Sequence, residues 1–273
     1  MHKSWPTEYV CGVALLNGEL FVLCHGRIDR QVDVHSTAVD DFALLRRLSI
    51  PGLGRYDADD MVSCLLKNCL YISDTGNACI HRVCINGSVS KWKVPGEPCG
   101  LSVTPGGQLL VVCRGEPGRI VELTADGSIL RMRQIKLPAD TSGACQAAQL
   151  TAGQFVVCQR GQSGLSVVDA DGRVTQSYRS TTSGSELNAT AVTRTRADRW
   201  DDETELGCPC HVTVDGQSML VVDHDNHRVV SLSRSLQFIR EVIAVALPNR
   251  LCLDRVTRRL YVGHACGVTV VHL

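Results

Sequence analysis

The sequence has no excess of either charge: 28 Lys and Arg stand against 28 Asp and Glu. That balance counts against a generic polyanion binder, because phosphate affinity needs concentrated positive charge; it leaves room for a local basic patch. No stretch approaches the ~18 consecutive apolar residues of a membrane-spanning helix, so no membrane partner is expected. The amino-terminal MHKSWPTEYVCGVALL lacks the pattern of a secretory leader, its short apolar run being broken by Gly12, Asn17 and Gly18. The expected compartment is therefore the cytosol, where thiols stay reduced. Nucleophile elbows, phosphate loops and dinucleotide fingerprints are missing too, and GEPGR (115–119) lacks the helix and lysine of a phosphate loop. The expectation is a non-catalytic chain with no nucleotide or other cofactor.

What is present is a repeat of about forty residues, a period that marks propellers and solenoids. Residues 11–24, 99–113, 145–158 and 210–223 each read as an apolar run, a turn holding Gly, and a second run rich in Val, Leu and Phe. Residues 61–74 and 250–264 are the remaining two members. The NG, PGG, AG and DG turns mark β-hairpins. A second strand pair comes after the hairpin in 78–94, 119–137, 164–178 and 228–243. Period-two alternation without a sustained helical stripe excludes a helical solenoid. Four antiparallel strands and a link form the blade of a propeller.

The prediction is an all-β, six-bladed β-propeller in one domain, with blades over 10–50, 59–97, 98–140, 143–180, 208–245 and 246–273. Residues 181–207 read as a loop insertion, and 51–60 as a shorter one. The last blade is incomplete and is expected to borrow its outer strand from residues 1–8. Pro6 cannot donate to a ladder, so Lys3 to Trp5 should add a short edge strand at best. Closure is then weak, or the sequence begins inside a longer protein; the second is preferred.

At LYISDTGNACIHRV (70–83) and LVVDHDNHRVVSL (220–232) the chain resembles the NHL repeat. In that family an Asp ends the second strand, an Asn stands three residues later, and an Arg or an Ile/Val pair opens the third strand. Asp74, Asn77 and, loosely, Arg82 match, as do Asp223, Asn226 and Arg228. The other four units depart, with Cys24, Cys113, Cys158 and His264 in place of the Asp. NHL propellers occur in tripartite-motif ubiquitin ligases, where they bind protein or RNA. They also resemble the propellers of peptidyl-amidating lyases and, more distantly, gluconolactonase-type metallohydrolases. The resemblance implies a substrate-recognition propeller; these residues contain no RING or B-box array that would carry ligase activity.

Three cysteine pairs, Cys11 with Cys24, Cys99 with Cys113 and Cys145 with Cys158, fall at facing ends of predicted hairpins. Facing Cα atoms about 4.5–5.5 Å apart make disulfides conceivable. The preferred reading is that they are small buried hydrophobes. The second-strand ends Cys24, Asp74, Cys113, Cys158, Asp223 and His264 form a ring of metal-binding types. Zinc, however, needs its ligands about 2.0–2.3 Å from one point, and a six-blade ring spreads them wider. Asp74 and Asp223 are expected instead to accept hydrogen bonds from their own loops. Cys208-Pro-Cys210-His211 is too short for a zinc knuckle, and His224 and His227 sit three apart on a loop, so neither is read as a metal site.

For binding, Arg114, Arg119, Arg160 and Arg228 come after second strands and are predicted to share one face with His81, His224 and His227. Such arginines grip carboxylates or phosphates in a bidentate way. Trp92 is expected to pack between blades, and Trp200, in the insertion, to anchor a partner. Three functions are compatible with this pattern: a protein-interaction platform, which is preferred; single-stranded RNA binding; and a metal-dependent hydrolase or lyase at the channel mouth.

Overall fold

A computed structural model of the chain describes residues 3–6, 9–25, 31–38, 42–53, 58–115, 118–124, 129–134, 143–160, 164–179 and 205–273. Its first strand, β1 (Lys3–Pro6), stands apart from the first blade. Blade one is β2 (Val10–Leu16), β3 (Glu19–Cys24), β4 (Gln31–Ser36) and β5 (Leu44–Ser49). Blade two is β6 (Ala58–Cys64), β7 (Cys69–Asp74), β8 (Cys79–Cys84) and β9 (Val89–Lys93). Blade three is β10 (Glu97–Val103), β11 (Leu109–Arg114), β12 (Arg119–Leu123) and β13 (Ile129–Gln134). Blade four is β14 (Ala144–Thr151), β15 (Gln154–Gln159), β16 (Gly164–Val168) and β17 (Val174–Arg179). Blade five is β18 (Pro209–Asp215), β19 (Ser218–Asp223), β20 (Arg228–Ser233) and β21 (Phe238–Ala244). Blade six is β22 (Pro248–Asp254), β23 (Arg259–His264) and β24 (Gly267–His272), completed by β1.

Among the described residues these strands form six four-stranded antiparallel sheets, the six-bladed propeller that the repeat predicted. The tight turns have a local cause in the sequence. Asn17 and Gly18 join β2 to β3 with φ of 52° and 76°, the doubly left-handed geometry that matches strand twist and that Asn-Gly adopts most readily. The second strands are buried along nearly their whole length, because each blade is covered on both faces by its neighbours. The outer β5 and β9 are largely exposed. Apolar clusters therefore lie between blades: Phe21 and Leu23 pack with Leu70 and Ile72, and Val10 and Val22 pack with Tyr261 and Val268 across the closing seam.

That seam is held by β1, which pairs antiparallel to β24 with Lys3 opposite Val270, Ser4 opposite Thr269, Trp5 opposite Val268 and Pro6 opposite Gly267. The pairing runs one residue further than expected, and Pro6 takes the terminal position, where its missing N–H costs least. Most of the insertion expected over 181–207 lies outside the described residues. No helix among the described residues is long and apolar enough to cross a membrane.

Candidate polar centre on the propeller axis

The innermost strands β2, β6, β10, β14, β18 and β22 each touch the inner strands of both neighbours and close a ring. Each breaks register with its hairpin partner close to its start, between Val10 and Gly12, Ala58 and Met61, Pro98 and Gly100, Ala144 and Gln146, Pro209 and His211, and Pro248 and Arg250. A bulge of this kind re-aims a side chain away from the alternation of a flat strand. The bulged residues reach toward the next blade. Cys99 Sγ donates to Ala144 O at 3.6 Å, Cys145 Sγ to Cys210 O at 3.3 Å, Cys210 Sγ to Asn249 O at 3.7 Å, and Asn249 Nδ2 to Val10 O at 3.0 Å.

Residues at or just after the bulges meet across the ring. Arg250 of blade six donates from Nε to Asp60 Oδ1 of blade two at 3.0 Å, spanning blade one, where the matching position is Gly12. Asp60 Oδ2 accepts from the Leu101 amide of blade three at 2.8 Å and lies 4.0 Å from His211 Nε2 of blade five. Gln146 of blade four donates from Nε2 to Leu101 O at 2.8 Å and is 3.2 Å from His211 Nε2. The Ala147 amide donates to Gln146 Oε1, which fixes the orientation of the side-chain amide. His211 Nε2 must therefore accept from Gln146, and its proton sits on Nδ1, a buried atom without a partner among the described residues.

These four side chains are buried, and burial sets their electrostatics. Burial raises the Asp60 carboxyl to about 6, against the opposing pull of Arg250. Burial, then the Arg250 charge, pushes His211 well below the usual imidazole value. Burial works against the Arg250 charge, but Asp60 and nearby thiols outweigh it and hold the guanidinium protonated.

Around this plug runs a more open rim. Arg250 Nη1 donates to Asn249 O and Oδ1, both at 2.9 Å, and Nη2 donates to Asp59 O. Arg114 Nη2 pairs with Asp59 Oδ2 at 2.9 Å, and Thr75 Oγ1 bridges Pro98 O at 2.8 Å. Arg160 is exposed, touches Asn249 Oδ1 at 3.4 Å, and has no carboxylate partner among the described residues. Tyr9, 37% exposed, stands edge-on to His25 at a centroid distance of 6.3 Å.

The residues singled out from the sequence fall in different surroundings. Arg228 is buried, and its Nε donates to Asp223 Oδ2 at 2.8 Å. Arg119 is half-buried opposite Cys113. His224 Nδ1 donates to Pro248 O at 2.7 Å, and His227 Nδ1 accepts from the Leu247 amide at 3.2 Å, so both histidines tie blade five to the chain entering blade six. Trp92 packs edge-on to Tyr71 within a cluster shared by blades two and three. Trp200 lies outside the described residues.

The ring of second-strand ends does not converge. Cys24, Cys113 and Cys158 are buried, and His264 Nε2 bonds Thr269 Oγ1 at 3.1 Å within its own blade. Asp223 Oδ1 accepts from the Gly207 amide at 2.7 Å, and Asp74 Oδ1 from the Asn77 amide at 3.0 Å. Among the described residues, Asp74 alone of the ring joins other ligand types, with Cys79 and His81 close by. All fourteen cysteines are free thiols. The expected facing pairs do not face each other, because the bulges set Cys24 opposite Val10, Cys113 opposite Pro98 and Cys158 opposite Gln146.

Asp60, Gln146 and Arg250 escaped the sequence reading, and His211 entered it only within a rejected zinc knuckle. A signal existed: Cys11-Gly12, Cys99-Gly100, Cys145-Gln146, Cys210-His211 and Asn249-Arg250 share one offset in the repeat, and the second member of each pair varies in chemistry.

No protein-family model matches the chain, and no curated protein matches it in sequence. Solved structures match it in fold. A catalytically inactive virginiamycin B lyase of Staphylococcus aureus, solved with quinupristin, is 14% identical over 100% of this chain and 99% of that one, with a TM-score of 0.67. The Kuenenia stuttgartiensis hydrazine synthase is 14% identical over 98% and 97%, with a TM-score of 0.66. A chain of a nidogen–laminin complex is 12% identical over 87% and 80%, with a TM-score of 0.62. Likeness at this identity shows the fold alone. The expectation of a non-catalytic chain is nonetheless corrected: it rested partly on reading the propeller as a bare platform, and two of these neighbours are enzymes. The chain is a six-bladed β-propeller, and the β-propellers it resembles include enzymes and a chain found in a protein–protein complex.

Proposed function

We propose that this chain is an NHL-like recognition propeller that holds a protein partner on the face carrying the β3–β4, β7–β8, β11–β12, β15–β16 and β19–β20 connections. The role fits the substrate-recognition unit of a tripartite-motif-type ligase in the cytosol. The observation that carries the reading is the contrast among arginines. Arg114, Arg228 and Arg250 are each matched to an aspartate, whereas Arg160 stands exposed at the rim with no carboxylate partner among the described residues. Below it, Asp60, Gln146, His211 and Arg250 fill the axis with buried side chains. Contact is thereby directed to the rim, where Arg160, the Arg114–Asp59 pair and Tyr9 offer a cation, a charged pair and an aromatic edge. An acidic side chain of a partner would complete a bidentate pair with Arg160.

The test compares the propeller with its Arg160→Glu variant as bait in cell extract. The variant should retain partners about tenfold less, a loss of ~1.4 kcal/mol, at an unchanged melting temperature. Equal recovery by both baits would remove the reading. Salt-steep binding of short single-stranded RNA would replace it with nucleic-acid recognition.

A further inference from the structure

Blade two departs from blade five at one informative place. In blade five, Asp223 is the register partner of Arg228, whose guanidinium offsets the buried carboxylate. In blade two, Asp74 occupies the same place, and its register partner is Cys79. Asp74 is wholly buried, so its charge needs an equivalent counter-charge. A thiol supplies none.

The group nearest to that task is His81, two residues along β8 on the same face as Cys79. Its Nε2 lies 2.8 Å from Asp74 Oδ2, and the Cys79 sulfur lies 3.7 Å from each of those atoms. Both contacts use the same imidazole nitrogen. A Cys–His–Asp relay would engage opposite nitrogens, so this is no catalytic triad.

We propose that Asp74, Cys79 and His81 form a zinc site inside blade two. One oxygen, one sulfur and one nitrogen converge among buried side chains and make three of the four donors of a tetrahedral zinc, the fourth place falling to a bound water. Donors on one tetrahedral zinc are spaced by about 3.2–3.8 Å, given bonds of ~2.0–2.3 Å. The two sulfur distances already meet that spacing. The oxygen–nitrogen distance must widen by a few tenths of an ångström once the proton between them is gone. Asn77 holds the carboxylate from outside, donating from its amide and from Nδ2 to Oδ1, both at 3.0 Å. Binding releases one proton, from the Cys79 thiol, and the His81 proton moves from Nε2 to Nδ1. Carboxylate and thiolate together then balance the dication. The site would pin the loop from Thr75 to Ala78, whose Thr75 reaches Asp59 at the rim.

The full chain, purified under reducing conditions, is loaded with Zn²⁺ or Co²⁺, freed of excess metal and analysed by mass spectrometry and absorption. The expected result is one metal per chain, with a near-ultraviolet sulfur-to-cobalt band. Cys79→Ala and His81→Ala should abolish retention, and Cys266→Ser, at the exposed cysteine, should leave it intact. A wild-type stoichiometry near zero overturns the proposal, as does full retention by Cys79→Ala or loss in Cys266→Ser. If Cys79→Ala fails to fold, the wild-type cobalt spectrum decides: without the sulfur band the site is not there.

Discussion

His211 sits among Asp60, Gln146 and Arg250 with its Nδ1 proton unpaired and its pKa pushed well below the ordinary value. The native chain therefore keeps this imidazole neutral at pH values where the unfolded chain, titrating near 6.5, takes up a proton. Stability carried by His211 is present above about pH 6.5 and is lost as the pH falls below it. Asp60 acts in the opposite sense. Its carboxyl is raised to about 6, so over the interval between roughly pH 4 and 6 the native state binds the extra proton and gains stability on acidification. The two slopes partly cancel in the wild type, and a substitution separates them. Relative to wild type, His211→Gln should be more stable at about pH 5 than at neutral pH, because the acid-side loss carried by His211 is gone. Urea melts at the two pH values measure this, and a pH-independent difference would show that His211 titrates alike in both states.

At the scale of the strand, the bulges explain what the sequence disclosed and what it hid. Alternation, NG and DG turns and the forty-residue period are local properties, so the hairpins and the six-fold repeat were readable. The Asp223–Asn226–Arg228 motif was also readable, because its partners lie within one turn of chain. Which side chains meet on the axis was not. A bulge shifts the facing of every residue after it, and neither Gln146 nor Arg250 carries a local mark of its neighbours in other blades. The same close approach makes one glycine indispensable. A Cβ on Gly100 would lie 2.2 Å from Cys145 O and 2.7 Å from Gln146 Cα, both backbone atoms of the adjacent inner strand. Gly100→Ala must therefore push β10 away from β14 and should cost about 1–3 kcal/mol or more, read as a lower urea midpoint with an unchanged slope. Gly18→Ala, where nothing lies within 4 Å, tests the contrast: its cost comes only from a φ of +76°. Equal losses in the two variants would mean that the inner strands are not packed this tightly.

At the scale of the whole molecule, six blades must close into a ring, and the closing blade draws on both ends of the chain. Two kinds of contact do this. The inner strands β22 and β2 pack together, and Val10, Val13, Leu20 and Val22 bury against Tyr261, Val268 and Val270; both survive without the amino-terminal strand. The second contact is the β1–β24 ladder of four residue pairs. Removing residues 1–6 takes away the ladder and leaves β24 with an unpaired edge. The truncated chain should still melt cooperatively, at a temperature lower by about 4–8 °C, which corresponds to ~2 kcal/mol in a chain of this size. An unpaired edge also recruits strands from other molecules, so the truncated form should self-associate as its concentration rises in sedimentation runs, while the full chain does not. An unchanged melting temperature would assign closure wholly to the apolar seam. Loss of the cooperative transition would assign it to the ladder. The intermediate result is expected because the seam buries many more side chains than four residues of edge strand bring in hydrogen bonds, each worth about 1 kcal/mol net.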